Sequence, residues 1–246
     1  MRTETWGGLT ARVVGGDDGQ GGGHGPLVVL LHGFGAPGWD LVPLAGELGA
    51  PRGARFVFPA APLSFSMGFG ESRAWWMIDM VALERAIATG ALRDLSRDVP
   101  AGLAEARAQL EAFLDEATAA LGASPERVVL GGFSQGAMLA TDVALRSDRA
   151  LGGLVLFSGT LLCEHEWVPR MHARAGLRVV QAHGRQDPLL PFSLAERLRD
   201  HLTAAGLQVD FVPFAGGHEI PRPALARAGA LLHDLGARSP GTPSTG

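Results

Sequence analysis

The stretch "GGFSQGAML" at 131–139 holds Ser134 between Gly132 and Gly136, directly after the apolar run Arg127-Val128-Val129-Leu130. A G-x-S-x-G pentad supports nucleophilic chemistry only where a strand enters it and a helix leaves it, because the tight turn then lifts the hydroxyl clear of the backbone. The exit here is "QGAMLATDVALRS", a run of good helix formers. With 35 glycines in 246 residues the pentad alone is weak evidence, and this context supplies most of its weight. The glycines also have a steric reading. A side chain at 132 or 136 would collide with neighbouring strand or helix backbone, and the turn would hold the serine at a helix N-terminus above the carboxyl end of a sheet.

A serine hydroxyl is a weak nucleophile and needs a base that an acid orients. "VVQAHGRQDPLLP" sets Asp187 in a loop just past an expected strand, and "VPFAGGHEI" sets His218 past the last one, with a glycine pair that lets its loop fold back. The chain order Ser, Asp, His suits a strand-turn-helix nucleophile. Other candidates have plainer readings: Asp210 lies inside a strand, Asp79 and Asp142 lie within helices, and Asp200 and His201 sit on a helix with no link to the pentad. His183 reads as a hydrogen-bonded residue of the turn ahead of Asp187. The developing oxyanion needs two backbone N–H donors. One is Gln135, after the nucleophile; Phe34 in "LLHGFGAPGWD" is the candidate for the second, since glycines on both sides allow close approach of the backbone.

Six strand-like runs must position these residues: "PLVVLLHG" at 26, "RFVFPA" at 55, "RVVLGGF" at 127, "LGGLVLFSG" at 151, "LRVVQAHG" at 177 and "LQVDFVPF" at 207. They alternate with helical patterns, which predicts an α/β fold with a mostly parallel sheet. The clearest helix spans 101–122, where Leu103, Ala106, Leu110, Phe113, Leu114, Ala117 and Leu121 form a 3.6-period stripe. "TWGGLTARVVGG" reads as an edge strand, "DDGQGGGHG" as a flexible loop and 239–246 as a disordered tail. One domain over 1–238 is expected, since nothing in the composition breaks the chain in two.

Composition removes several classes of function. The net charge is −4 with scattered arginines, which offers nucleic acid no electrostatic footprint. All 21 basic residues are arginine, so a Schiff-base lysine, a Walker A loop and a Ser-x-x-Lys nucleophile are all absent. Cys163 is the one cysteine, which rules out an internal disulfide and a cysteine-based zinc site and suggests a reducing compartment. No run approaches the roughly 20 apolar residues of a membrane span, and the opening residues lack the apolar centre of a signal peptide. A cytoplasmic protein without metal or cofactor is expected, acting on a small-molecule acyl ester as a monomer or homodimer.

The segments "LLHGFG", "FPAAP", "GFSQGAML", "HGRQDPLLP" and "GGHEI", in this order over roughly 26–225, resemble the phospholipase/carboxylesterase family of α/β-hydrolases, which includes the acyl-protein thioesterases. The resemblance implies an α/β-hydrolase fold, with helices on both faces of the central sheet. It also implies Ser134 as nucleophile, His218 as base, Asp187 as its partner, and the N–H groups of Phe34 and Gln135 as oxyanion hole. The expected activity is hydrolysis of short- to medium-chain acyl esters through an acyl-enzyme. Acyl-protein thioesterase or lysophospholipase activity is the alternative, followed by a non-catalytic binding module or a cofactor-free perhydrolase on the same triad. The chain departs from the pattern at 64–100, a connection longer than in compact members. There Met67, Phe69, Trp75, Trp76, Met77 and Met80 make an apolar cluster suited either to a lid or acyl groove or to a satellite core. Met67, Trp75, Trp76 and Leu189 are the substrate-binding candidates.

Overall fold

The computed structural model describes residues 1–66, 70–89 and 94–237. Its centre is an eight-stranded sheet. The chain enters by a hairpin of β1 (Arg2–Trp6) and β2 (Leu9–Gly15), then lays down β3 (Leu27–Leu31), the short helix α1 (Leu44–Glu47) and β4 (Arg55–Pro59). The single edge strand expected at the N-terminus is therefore two strands. Gly7 and Gly8 both have positive φ, which lets a two-residue turn reverse the chain between Trp6 and Leu9.

A small separate hairpin follows, β5 (Leu63–Ser66) and β6 (Glu71–Ala74), and then α2 (Met80–Thr89) and the long α3 (Leu103–Ala120). The second half is regular: β7 (Val128–Phe133), α4 (Gln135–Arg146), β8 (Gly153–Phe157), α5 (Glu164–Met171), β9 (Arg178–Gly184), α6 (Phe192–Ala204), β10 (Gln208–Phe214) and α7 (Arg222–Ala237). The strand order is β1-β2-β4-β3-β7-β8-β9-β10, antiparallel at the N-terminal edge and parallel from β4 to β10. The six strand-like runs are the six parallel strands.

Alternation along the strands divides the interior into two cores. In β3, Leu27, Val29 and Leu31 face one side, against the expected α3 stripe, α4 and α5. Val28 and Leu30 face the other, against Leu225, Leu231 and Leu232 of α7. Both faces of the sheet are covered, which explains why its parallel strands read as continuous apolar runs rather than as alternating ones. Parallel strands with short exits deliver all their carboxyl-end loops to one edge of this sandwich. The loops after β3, β7, β8, β9 and β10 meet there.

The 64–100 connection divides its burial. Trp75 and Trp76 belong to the core, whereas Met77 and Val81 are exposed. Met67, Phe69 and the tail 239–246 lie outside the described residues.

Candidate active site

Ser134 follows the last residue of β7 and precedes the first of α4, with φ 54° and ψ −118°. A non-glycine residue at positive φ costs about 1–3 kcal/mol and persists where its surroundings over-determine it. Those surroundings are backbone: a Cβ at Gly132 would reach 2.5 Å from the Leu31 carbonyl oxygen and 2.6 Å from the Gly136 carbonyl carbon. One at Gly136 would overlap the Leu31 carbonyl itself. The two glycines let the chain turn against β3, and the turn sets a half-buried serine at the mouth of α4.

Asp187 lies three residues beyond β9 and His218 four beyond β10. His218 Nδ1 donates to Asp187 Oδ2 at 2.7 Å, with the carboxylate side chain wholly buried and the imidazole 13% exposed. The N–H groups of Leu189 and Leu190 donate to Oδ1 at 2.8 and 3.0 Å. Burial opposes ionisation of Asp187, yet the hydrogen bond and charge of His218 and the two N–H donors outweigh it, holding the carboxyl below its usual range. The two loops are stitched together by Arg185 N–H donating to the Phe214 carbonyl at 2.9 Å and Gln186 N–H to that of Gly216 at 3.0 Å. From the other side, the hydroxyl of Ser158 donates to the Glu219 carbonyl at 2.9 Å. The His218 ring rests on Phe133, the residue before Ser134, with 4.8 Å between centroids.

Gln135 is the first residue of α4, so its N–H has no carbonyl one turn back to bond. Phe34 N–H makes no hydrogen bond among the described residues, although its neighbours are tied down: Gly35 N–H donates to the Arg73 carbonyl and Arg73 N–H to that of Ala36, both at 2.9 Å. The loop is fixed from behind by His32. Its Nε2 accepts from Ala61 N–H at 2.9 Å, so Nδ1 carries the hydrogen and donates to the Gly33 carbonyl at 2.8 Å. That pairing requires a neutral ring, and burial pushes its pKa down.

Phe34, Ser134, Gln135 and His218 line one cavity of about 580 Å³. Its apolar walls include Trp76, Met80, Leu83, Leu95, Met138 and Leu189. Trp76 and Leu189 thus stand where the sequence puts substrate contacts. Trp75 does not: its indole N–H donates to the His32 carbonyl at 3.0 Å and its backbone N–H to Gln135 Oε1 at 2.9 Å. It lies behind the oxyanion loop rather than in the cavity, because the buried carbonyl of His32 requires a donor there. The placement of Met67 falls outside the described residues.

The rival residues have other partners, although Asp79 also lines the cavity. Asp142 is buried against Arg107 at 2.7 Å and the Trp167 indole at 2.8 Å. Asp210 lies 3.7 Å from Arg227, and His201 bonds Glu164. Asp79 is outside α2 and caps it, accepting from Ala82 N–H. His183 is not in a turn; it is the penultimate residue of β9 and wholly buried.

A serine on a strand-helix turn, a histidine bonded to a buried carboxylate and two N–H groups without a partner among the described residues around a mostly apolar cavity are groups that acyl transfer can use. The family model described as phospholipase/carboxylesterase matches residues 20–233. The chain belongs to that family. The phospholipase/carboxylesterase relatives include acyl-protein thioesterase 1 of Eremothecium gossypii, 30% identical over 183 residues that cover 72% of each chain. Another is a probable carboxylesterase of Oryza sativa subsp. japonica, 30% identical over 80% of this chain and 72% of its own. Among solved structures, esterase PE8 superposes with a TM-score of 0.75 at 28% identity, covering 92% of this chain and 99% of that one. A Bacillus cereus carboxylesterase shares the fold, with a TM-score of 0.66 at 23% identity over 92% and 94% of the two chains. The family is one of esterase- and thioesterase-type hydrolases, and no described helix is long and apolar enough to cross a membrane.

Proposed function

We propose that the protein is a serine carboxylesterase that hydrolyses short- to medium-chain acyl esters through an acyl-enzyme. The observation that carries this reading is the 2.7 Å bond between His218 and Asp187 at the rim of the cavity that Ser134 enters. Ser134 Oγ attacks the ester carbonyl carbon while His218 takes its proton, and the Asp187 carboxylate stabilises the imidazolium that forms. The negative charge on the former carbonyl oxygen falls to the N–H groups of Phe34 and Gln135, helped by the N-terminal end of α4. Collapse returns the proton to the departing alcohol. Water, activated by the same imidazole, then releases the acid.

The acyl chain lies along Trp76 and Leu189, beside Met80, Leu83 and Leu95, with Asp79 and Asp98 also lining the cavity. A cytoplasmic, reducing setting suits the chain, whose one thiol is buried and pushed by burial up to about 11. Thioester hydrolysis is the second reading, favoured by the likeness to acyl-protein thioesterase 1. A panel of p-nitrophenyl esters, acyl thioesters and lysophospholipids, ranked by kcat/KM, tests both. Butyryl to octanoyl esters should lead. A lead of tenfold or more for thioesters would replace the carboxylesterase reading with the second.

A further inference from the structure

His183 takes no part in the steps above, yet it shares an oxygen with the base. Its Nε2 lies 3.0 Å from the Leu190 carbonyl oxygen and 3.4 Å from Asp187 Oδ2, the same oxygen that His218 engages. A carbonyl only accepts, so Nε2 carries a hydrogen that it donates to Leu190, with Asp187 Oδ2 lying close beside that bond. Nδ1 meets no partner at full hydrogen-bond geometry among the described residues, although the ring also lies beside the backbone of Gly159. Burial of the ring, the largest influence, and the nearby His218 disfavour its charged form against the opposing pull of the Leu190 carbonyl, the Asp187 carboxylate and the Gly159 backbone. His183 therefore stands as a neutral donor. Leu190 closes the circuit, since its carbonyl accepts from His183 while its N–H donates to Asp187 Oδ1.

We propose that His183 is a positioning residue for the triad: its Nε2–H pins the 187–190 turn and fixes the plane of the Asp187 carboxylate, so that Oδ2 faces His218 Nδ1. The inference rests on the reading of Asp187 and His218 as acid and base. His183 itself does not line the cavity that receives substrate, so its loss acts on the chemical step through the carboxylate. Outer hydrogen-bond partners of this kind are commonly worth about 10- to 100-fold in activity.

The test uses the full-length chain with His183→Ala, His183→Gln, His183→Asn and, as reference, Asp187→Ala, on acetyl, butyryl and octanoyl p-nitrophenyl esters. Glutamine can bring an amide N–H near the place of Nε2, whereas the shorter asparagine cannot. The expected result is a fall in kcat of about tenfold or more for His183→Ala. That fall should be equal across the three esters with KM little changed, and should be recovered in His183→Gln but not in His183→Asn. If the alanine variant fails to fold, the glutamine and asparagine variants decide the matter between them. Wild-type kcat in His183→Ala or His183→Asn beside an impaired Asp187→Ala would overturn the proposal while leaving the triad standing. So would a loss confined to octanoyl ester, which would assign His183 to the Leu190 wall, or equal losses in glutamine and asparagine. Full activity in Asp187→Ala would overturn the acid assignment and the proposal with it.

Discussion

The side-chain amide of Gln135 donates to the carbonyl of Trp76 at 2.8 Å, and its oxygen accepts from the N–H of the preceding residue. One side chain thus ties the proposed oxyanion donor, Gln135, to a wall of the cavity. Sequence reading used Gln135 for its backbone alone.

Gln135→Ala keeps the backbone donor and strips partners from two buried backbone groups, each costing about 1–3 kcal/mol when left unpaired. The melting temperature should fall. The loss in kcat/KM should be larger for octanoyl than for acetyl esters, because the Trp76 wall is released. A loss independent of chain length would show that wall and oxyanion hole are not coupled through this amide.

The two tryptophans should separate cleanly. Trp76→Ala widens the cavity and should shift preference along an acyl series, since each methylene contact is worth up to about 0.8 kcal/mol. Trp75→Ala should lower stability by about 3–5 kcal/mol, the usual range for a buried aromatic, with the chain-length profile of the surviving enzyme unchanged. Profiles on acetyl to octanoyl esters and denaturation midpoints for both variants check the assignment; exchanged behaviour would refute it.

Gly136→Ala places a methyl group against the Leu31 carbonyl, in backbone that has nowhere to go. Overpacking of this kind costs about 1–3 kcal/mol or more. Activity should drop with stability, since the displaced element is the turn that bears Ser134. A variant of wild-type melting temperature would show that the turn has more room than the contact with β3 allows.

Burial holds both His32 and His183 below the ordinary histidine value of about 6.5. As pH falls through that value the unfolded chain takes up protons that the folded one refuses. Stability from this source is complete above about 6.5 and declines as pH drops toward the folded values. Asp187, with a lowered carboxyl, gives a contribution that is present above about 3.9 and is lost in stronger acid. Urea midpoints should therefore fall between pH 7 and pH 5, a window in which Asp187 stays ionised. A flat or rising midpoint there would mean that the two rings are charged in the folded chain.

The parallel strands and the loops at their carboxyl ends were legible because fully buried strands must be apolar throughout and the pentad needs a strand before it. Ser134, Asp187, His218 and Phe34 stand out as candidates in the sequence because each follows a strand and is flanked by glycine or a turn. What was hidden depends on contacts distant in sequence. Trp75 and Trp76 look alike in a row, and only the carbonyl of His32 and the amide of Gln135, 43 and 60 residues away from Trp75, decide which one faces the cavity. His183 read as a turn residue because the glycine after it resembles a strand exit; pairing with β10 extends β9 through both. The N-terminal hairpin was missed although Gly7-Gly8 is a strong turn signal, because the run on each side is short.

The central claim is that Ser134 is the nucleophile. Incubation with a fluorophosphonate followed by peptide mass analysis tests it most directly. One phosphonyl group should appear per chain, on the peptide bearing Ser134, with turnover lost in proportion to labelling. Ser134→Ala should take up no label, and its kcat should fall by about 10⁴- to 10⁶-fold. Label on another residue, or an alanine variant that keeps a tenth of wild-type turnover, would contradict the account.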